Sequence, residues 1–261
     1  VRANEEGWTN PAILASFAVG IVLLAAFVAW EARSAEPMLP LRLFRSRTFS
    51  AANAVSLLMY FGMFGSIFLL AQFFQVVQHY SPLQAGLRTL PWTIMPVFVA
   101  PIAGLLSART GTRPLLVLGM SLMAIALAWM AAVSSPTVDY LTLVPAFIVA
   151  GAGMGLFFAP IANVILSAVR PEEEGKASGA NNAIRELGGV FGVAVLASVF
   201  AANGSYASGQ AFVDGLIPAM RVGAVVVAFG AVAALALAGR QRRVAETQDD
   251  AYGGAEIAAA A

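Results

Sequence analysis

The sequence predicts an all-α integral membrane protein of about seven transmembrane helices. Three observations predict it. First, 59% of the residues are hydrophobic and only 11% are charged, against about 25% charged in soluble domains. Second, the apolar residues gather into long runs, each near or above the roughly 20 residues that span a bilayer core. Third, arginine concentrates in alternate links between those runs, the positive-inside pattern.

The runs fall at about Pro11–Trp30, Ala51–Val77, Leu90–Ala108, Pro114–Val133, Leu141–Val169, Lys176–Phe200 and Pro218–Gly239. The link after the first carries Arg33, Arg42, Arg45 and Arg47. The link after the third carries Arg109 and Arg113, that after the fifth Arg170 and Lys176, and the end of the seventh Arg240, Arg242 and Arg243. The opposite links hold mainly Arg2, Arg88 and Arg221. The expected orientation is therefore an outside start and a cytoplasmic C-terminus, with a disordered Ala/Gly/acidic tail over 244–261. The opening VRANEEGW begins at Val1 and has no signal-peptide layout. Either the start codon is unusual or an odd number of spanners precedes this stretch in a longer chain.

The first run stands apart, followed by a link of about twenty residues (EARSAEPMLPLRLFRSRTFS) in which Pro37 and Pro40 oppose a stable helix. Its Leu39, Leu41, Leu43 and Phe44 either lie along the inner interface or belong to an ordinary connector. The second run carries Gln72 and Gln75 at i, i+3, with Tyr60, Phe61, Phe64 and Phe68 earlier on the same helix. The glutamines either line a cavity for a large apolar ligand or hydrogen-bond across the bundle. The third run contains Pro91, Pro96 and Pro101, which bend a helix or open it towards a cavity. The fifth holds Gly151, Gly153 and Gly155, then Pro160 and Asn163, and the sixth the pairs Gly175/Gly179 and Gly188/Gly192. Such small residues allow close helix approach, with Gly151, Gly155, Gly188 and Gly192 the packing candidates.

The sixth run is the one the chain is organised around. Ser178, Asn182, Arg185, Glu186 and Gly189 follow three- and four-residue spacings and share one face. Arg185 lies roughly 13 Å along the helix from Lys176, near the middle of the hydrocarbon, where a charge costs roughly 2.5–3.5 kcal/mol on insertion scales. This stripe is therefore expected to face protein or water. Asn182, Arg185 and Glu186 join Gln72 and Gln75 as substrate-cavity candidates. Glu186 is either a proton carrier or a fixed counter-ion for Arg185 or another helix.

Other chemistries are excluded. The chain has no cysteine and a single histidine, His79, so neither a metal cluster nor a Ser-His-Asp triad is available and no enzyme activity is expected. A net charge of +1 gives no footing for nucleic-acid binding. No cofactor is expected.

The loop Gly104-Leu105-Leu106-Ser107-Ala108-Arg109-Thr110-Gly111-Thr112-Arg113 resembles the cytoplasmic loop signature of the major facilitator superfamily, G-x-L-x-D-R-x-G-x-R/K, with Gly104, Leu106, Arg109, Gly111 and Arg113 matching and Ala108 at the acidic position. The order of GW-x-NP, EPMLPLRLFRSRTF, SPLQAGLRTLPW, GAGMGLFFAPIANV and EEEGKASGANNAIRELGGVFGVAVL is similar to that in the fourteen-spanner drug:proton antiporter branch. The resemblance implies spanners eight to fourteen. Residues 1–50 would hold an extra central helix and linker, and 51–243 the C-terminal six-helix half built as 3+3 inverted repeats. It also implies alternating access in a bacterial plasma membrane, driven by the proton gradient, on lipophilic or cationic small molecules. The N-terminal half would be the necessary partner. Two competing readings are a non-transporting seven-helix subunit or truncated gene product, and a receptor or light-driven pump. The latter is opposed by the only lysine, Lys176, lying in a link.

Overall fold

In the computed structural model, which describes residues 10–34 and 37–237, seven helices are long and apolar enough to cross a membrane. They are α1 (Pro11–Glu31), α2 (Arg47–Gln72), α3 (Pro82–Thr110), α4 (Thr112–Val133), α5 (Tyr140–Ser167), α6 (Glu174–Asn203) and α7 (Gly209–Leu235). Among the described residues there is no strand. The cationic residues Arg240, Arg242 and Arg243 and the tail 244–261 lie outside the described residues.

Side-chain caps start most helices. Asn10, Ser46, Asp139 and Ser208 each accept a backbone N–H from the first turn of α1, α2, α5 and α7, and Pro11 occupies the first turn of α1. Ser81 and Gln84 form a reciprocal capping box. That box starts α3 at Pro82 rather than Leu90, so two further turns precede the apolar run. α7 likewise begins at Gly209, not Pro218, which sits inside the helix. Apolar content marks the lipid-compatible length, whereas caps mark where hydrogen bonding begins, and the two differ.

The link after α1 also departs from expectation. Pro40 precedes a short 3-10 helix, Leu41–Arg45, rather than preventing one; proline's missing N–H is harmless at a helix start. Leu43 is buried against the bundle, Phe44 packs edge-on to Phe49, and the buried Glu31 accepts the Leu39 N–H at 2.7 Å. Arg42 forms an ion pair with Glu173, in the link before α6.

Six helices pack as a bundle, α2–α7. The main seams are α2–α6, α2–α7, α3–α5, α4–α5 and α4–α7. Exchanging α2 with α5, α3 with α6 and α4 with α7 sends α2–α6 onto α3–α5, α2–α7 onto α4–α5, and α4–α7 onto itself. Helices joined by short links alternate in direction, so the exchanged helices run oppositely. The bundle is thus two three-helix units of inverted sense. The window of α1 that could span a bilayer is wholly unburied.

Candidate functional site

The α2–α6 seam is close because α6 presents glycines to the α2 backbone. A Cβ on Gly188 would sit 2.5 Å from the Leu57 carbonyl oxygen, and one on Gly192 would collide with the Phe61 carbonyl. Gly65 of α2 returns the approach against Gly192. The α3–α5 seam repeats this: a Cβ on Gly151 would strike the Trp92 carbonyl and one on Gly155 would lie 2.6 Å from Val99 Cβ. At Gly175 and Gly179, by contrast, a Cβ would meet nothing within 4 Å.

This approach brings Arg185 onto α2. Its guanidinium carbon lies 4.3 Å from the centre of the Tyr60 ring, a cation–π distance. Tyr60 is 3% exposed and stacks on Phe64 of its own helix and on Phe158 of α5. Arg185 Nε is buried with no hydrogen-bond partner among the described residues. Glu186, one residue on, is exposed and lines an open groove of about 390 Å³ with Phe64, Gly189, Val190, Val193 and Ala194. Arg185 and Glu186 form no ion pair with each other; the single ion pair among the described residues is Arg42–Glu173. The site is thus an aromatic wall bearing a fixed cation, with a carboxylate free at its rim.

Sequence spacing nominated Asn182, and the structure places it on the exposed face. Its neighbour Asn181 is the buried amide, at 8% exposure. Asn181 Nδ2 donates to Asn53 Oδ1 and Ser56 Oγ, both at 3.0 Å, and Asn53 Nδ2 donates to the Phe49 carbonyl at 2.9 Å. The sequence signal was a second polar pair, Asn53 and Ser56, at i, i+3 on α2.

The glutamines lie elsewhere. Gln72 is twelve residues beyond Tyr60, about 18 Å along α2. Its Oε1 accepts from Tyr206 in the α6–α7 link, and Gln75 donates back to the Ala71 carbonyl of its own helix. Gln72 precedes a π-helical turn, Phe73–Val77. In the loop between α3 and α4, Gly111 has φ 83°, the left-handed region that excludes most side chains, and its N–H caps α3 through the Ser107 carbonyl. Arg109 lies exposed in the last turn of α3 and Arg113 in the first turn of α4. Gly104 meets nothing nearer than Ala159, at 3.7 Å for a Cβ.

Inverted three-helix units around a mid-span polar face define a polytopic helical membrane protein of the inverted-repeat type. The family model of the Major Facilitator Superfamily matches residues 4–193, so the chain belongs to that superfamily, in its drug-efflux branch. Members of this superfamily are transporters rather than enzymes. The chain is 35% identical over 202 residues to the Multidrug resistance protein Stp of Mycobacterium tuberculosis, covering 77% of this chain and 37% of that protein. It is 31% identical over 203 residues to the tetracenomycin C resistance and export protein of Streptomyces glaucescens (78% and 38%). It is 35% identical over 201 residues to a tetracycline resistance determinant of Streptomyces rimosus (76% and 57%). The chain spans little more than a third of the length of the first two.

Proposed function

We propose that α2–α7 form the C-terminal half of a proton-coupled exporter of lipophilic or cationic small molecules, working by alternating access against an N-terminal half. In this reading residues 1–50 supply an extra central helix and linker, 51–243 the transporter half, and 244–261 a cytoplasmic tail. The whole would have fourteen spanners, with the C-terminus in the cytoplasm of a bacterium. The observation that carries the reading is the polar face of α6. Arg185 at mid-span, with Asn182 and Glu186 exposed beside it, cannot rest against lipid without a penalty of roughly 2.5–3.5 kcal/mol per charge. A second half or a water-filled path would cover it. An aromatic wall suits flat apolar compounds, and the uncommitted carboxylate of Glu186 suits a cationic group or a proton. The names of the relatives, which concern multidrug resistance and the export of tetracenomycin C, support a drug-exporting role.

The test is transport by the full-length protein in proteoliposomes. Efflux of lipophilic cations should follow an imposed pH gradient and stop on adding a protonophore. Efflux indifferent to the gradient would remove proton coupling, and no efflux of any compound would favour a non-transporting subunit.

A further inference from the structure

We propose that Asn181 is a positioning residue for the transport path: held between Asn53 and Ser56, it fixes the α2–α6 seam so that Arg185 lies on the face of Tyr60. The inference rests on reading the Arg185 face as part of that path. Asn181 precedes Arg185 by four residues and so shares its side of α6, while Ser56 precedes Tyr60 by four on α2. The two rungs are consecutive turns of one parallel pair. On the C-terminal side of Arg185 the seam is fixed by shape, through Gly188 on Leu57 and Gly192 on Phe61. On the N-terminal side that device is missing: Gly175 and Gly179 approach nothing, and the buried residues there are the small Ala177 and Ala180. The Asn181 amide is the directional contact of that stretch.

Direction matters here. Small apolar side chains pack almost equally well when a helix rotates or splays slightly, because dispersion has no preferred angle. Two hydrogen bonds from one amide at 3.0 Å to acceptors three residues apart do not. One residue of slip turns a helix by about 100° and shifts it about 1.5 Å, which would carry the guanidinium off the Tyr60 ring. The knot is also buried, with Asn53 at 2%, Ser56 at 0% and Asn181 at 8% exposure.

The chain contains no cysteine, which allows a direct register assay. A Cβ at Gly189 would lie 3.5 Å from Phe64 Cβ, within the roughly 3.5–4.5 Å of a disulfide. The pair Phe64→Cys with Gly189→Cys, placed in the full-length protein, reports the seam beside Arg185. The decisive variant is Asn53→Leu, Ser56→Ala and Asn181→Leu together, which replaces the knot by apolar packing and leaves none of its own polar groups behind unpaired. It should insert at normal abundance, yet cross-link several-fold more slowly and, without the cysteines, raise the export KM about tenfold with less change in maximal rate. Normal cross-linking and normal KM in that variant would overturn the proposal. Should it fail to insert, Ser56→Ala alone removes one acceptor; a partial fall in cross-linking supports the proposal, and an unchanged rate overturns it. A parent protein that exports nothing overturns the path reading and with it the role of Asn181 in transport. Slower cross-linking would then still support the register it sets.

Discussion

Along the middle of the α3–α5 seam Trp92 stacks on Phe147, and Gly151 and Gly155 admit the α3 backbone and Val99. Polar contacts sit at its two ends, where the Tyr140 hydroxyl donates to the Arg88 carbonyl at 3.2 Å and Asn163 Nδ2 donates to Ser107 Oγ at 3.5 Å. Its image under the exchange of the two units, α2–α6, uses the same glycine device but adds Asn53, Ser56 and Asn181, then Arg185 on Tyr60. One joint is built twice, and a mid-span cation is placed in one copy. Close backbone approach is therefore a property of the scaffold, while the mid-span cation is an addition to it. In a membrane this separation is natural, because helix association draws on packing rather than on hydrophobic burial.

The comparison is broken most severely at the glycines. Gly192→Val and Gly151→Val should both lose most folded protein, since each new side chain meets a backbone carbonyl and overpacking costs roughly 1–3 kcal/mol or more. Monodisperse yield in detergent and the melting temperature check this, with Gly179→Ala, which faces open space, expected to match the parent. Unequal damage at the two seams would weaken the idea of a repeated joint.

Arg185→Ala tests the added chemistry. Export should fall to the level of cells lacking the protein while membrane insertion is unchanged, read by transport assay and immunoblot together. Tyr60→Leu should raise the export KM about tenfold, and Tyr60→Phe, which keeps the ring face, should change it less than about threefold. Normal export by Arg185→Ala would leave the α2–α6 seam as structural as its image.

Away from both seams effects should be small. Arg42→Ala removes an ion pair whose arginine is 63% exposed, so stability should change by no more than about 1 kcal/mol, and less at high salt. Smaller still is the effect of Tyr206, in the α6–α7 link. Burial raises its phenol above the ordinary value of 10.0. A raised folded-state value means its contribution is whole below pH 10 and is lost as pH rises through the folded value, when the phenolate can no longer donate to Gln72. An absorbance titration against Tyr206→Phe should show one tyrosine ionising late and no difference near neutral pH.

Much of this was legible beforehand because the bilayer imposes simple rules. Run length set the seven helices, and the glycine spacings of Gly151/Gly155 and Gly188/Gly192 pointed at residues that do meet facing helices. The same spacing at Gly175/Gly179 carries no contact, since small residues permit approach without requiring it. The starts of α3 and α7 were missed because Gln84, Arg88, Gln210 and Asp214 dilute the apolar pattern, although Ser81 and Ser208 cap them.

The sequence by itself determined that this chain is helical and membrane-spanning, that it belongs with the major facilitators, and that α6 carries a charge which lipid disfavours. Those properties follow from composition, run length and local motifs, each readable along one strand of sequence. Only the tertiary structure decided that Asn181, not Asn182, is the buried amide, that Arg185 meets Tyr60, and that Gln72 joins Tyr206 far from both. Neighbouring residues on a helix point about 100° apart, so which of two adjacent asparagines faces a partner depends on how that helix is rotated against another, and this is fixed by contacts more than a hundred residues away.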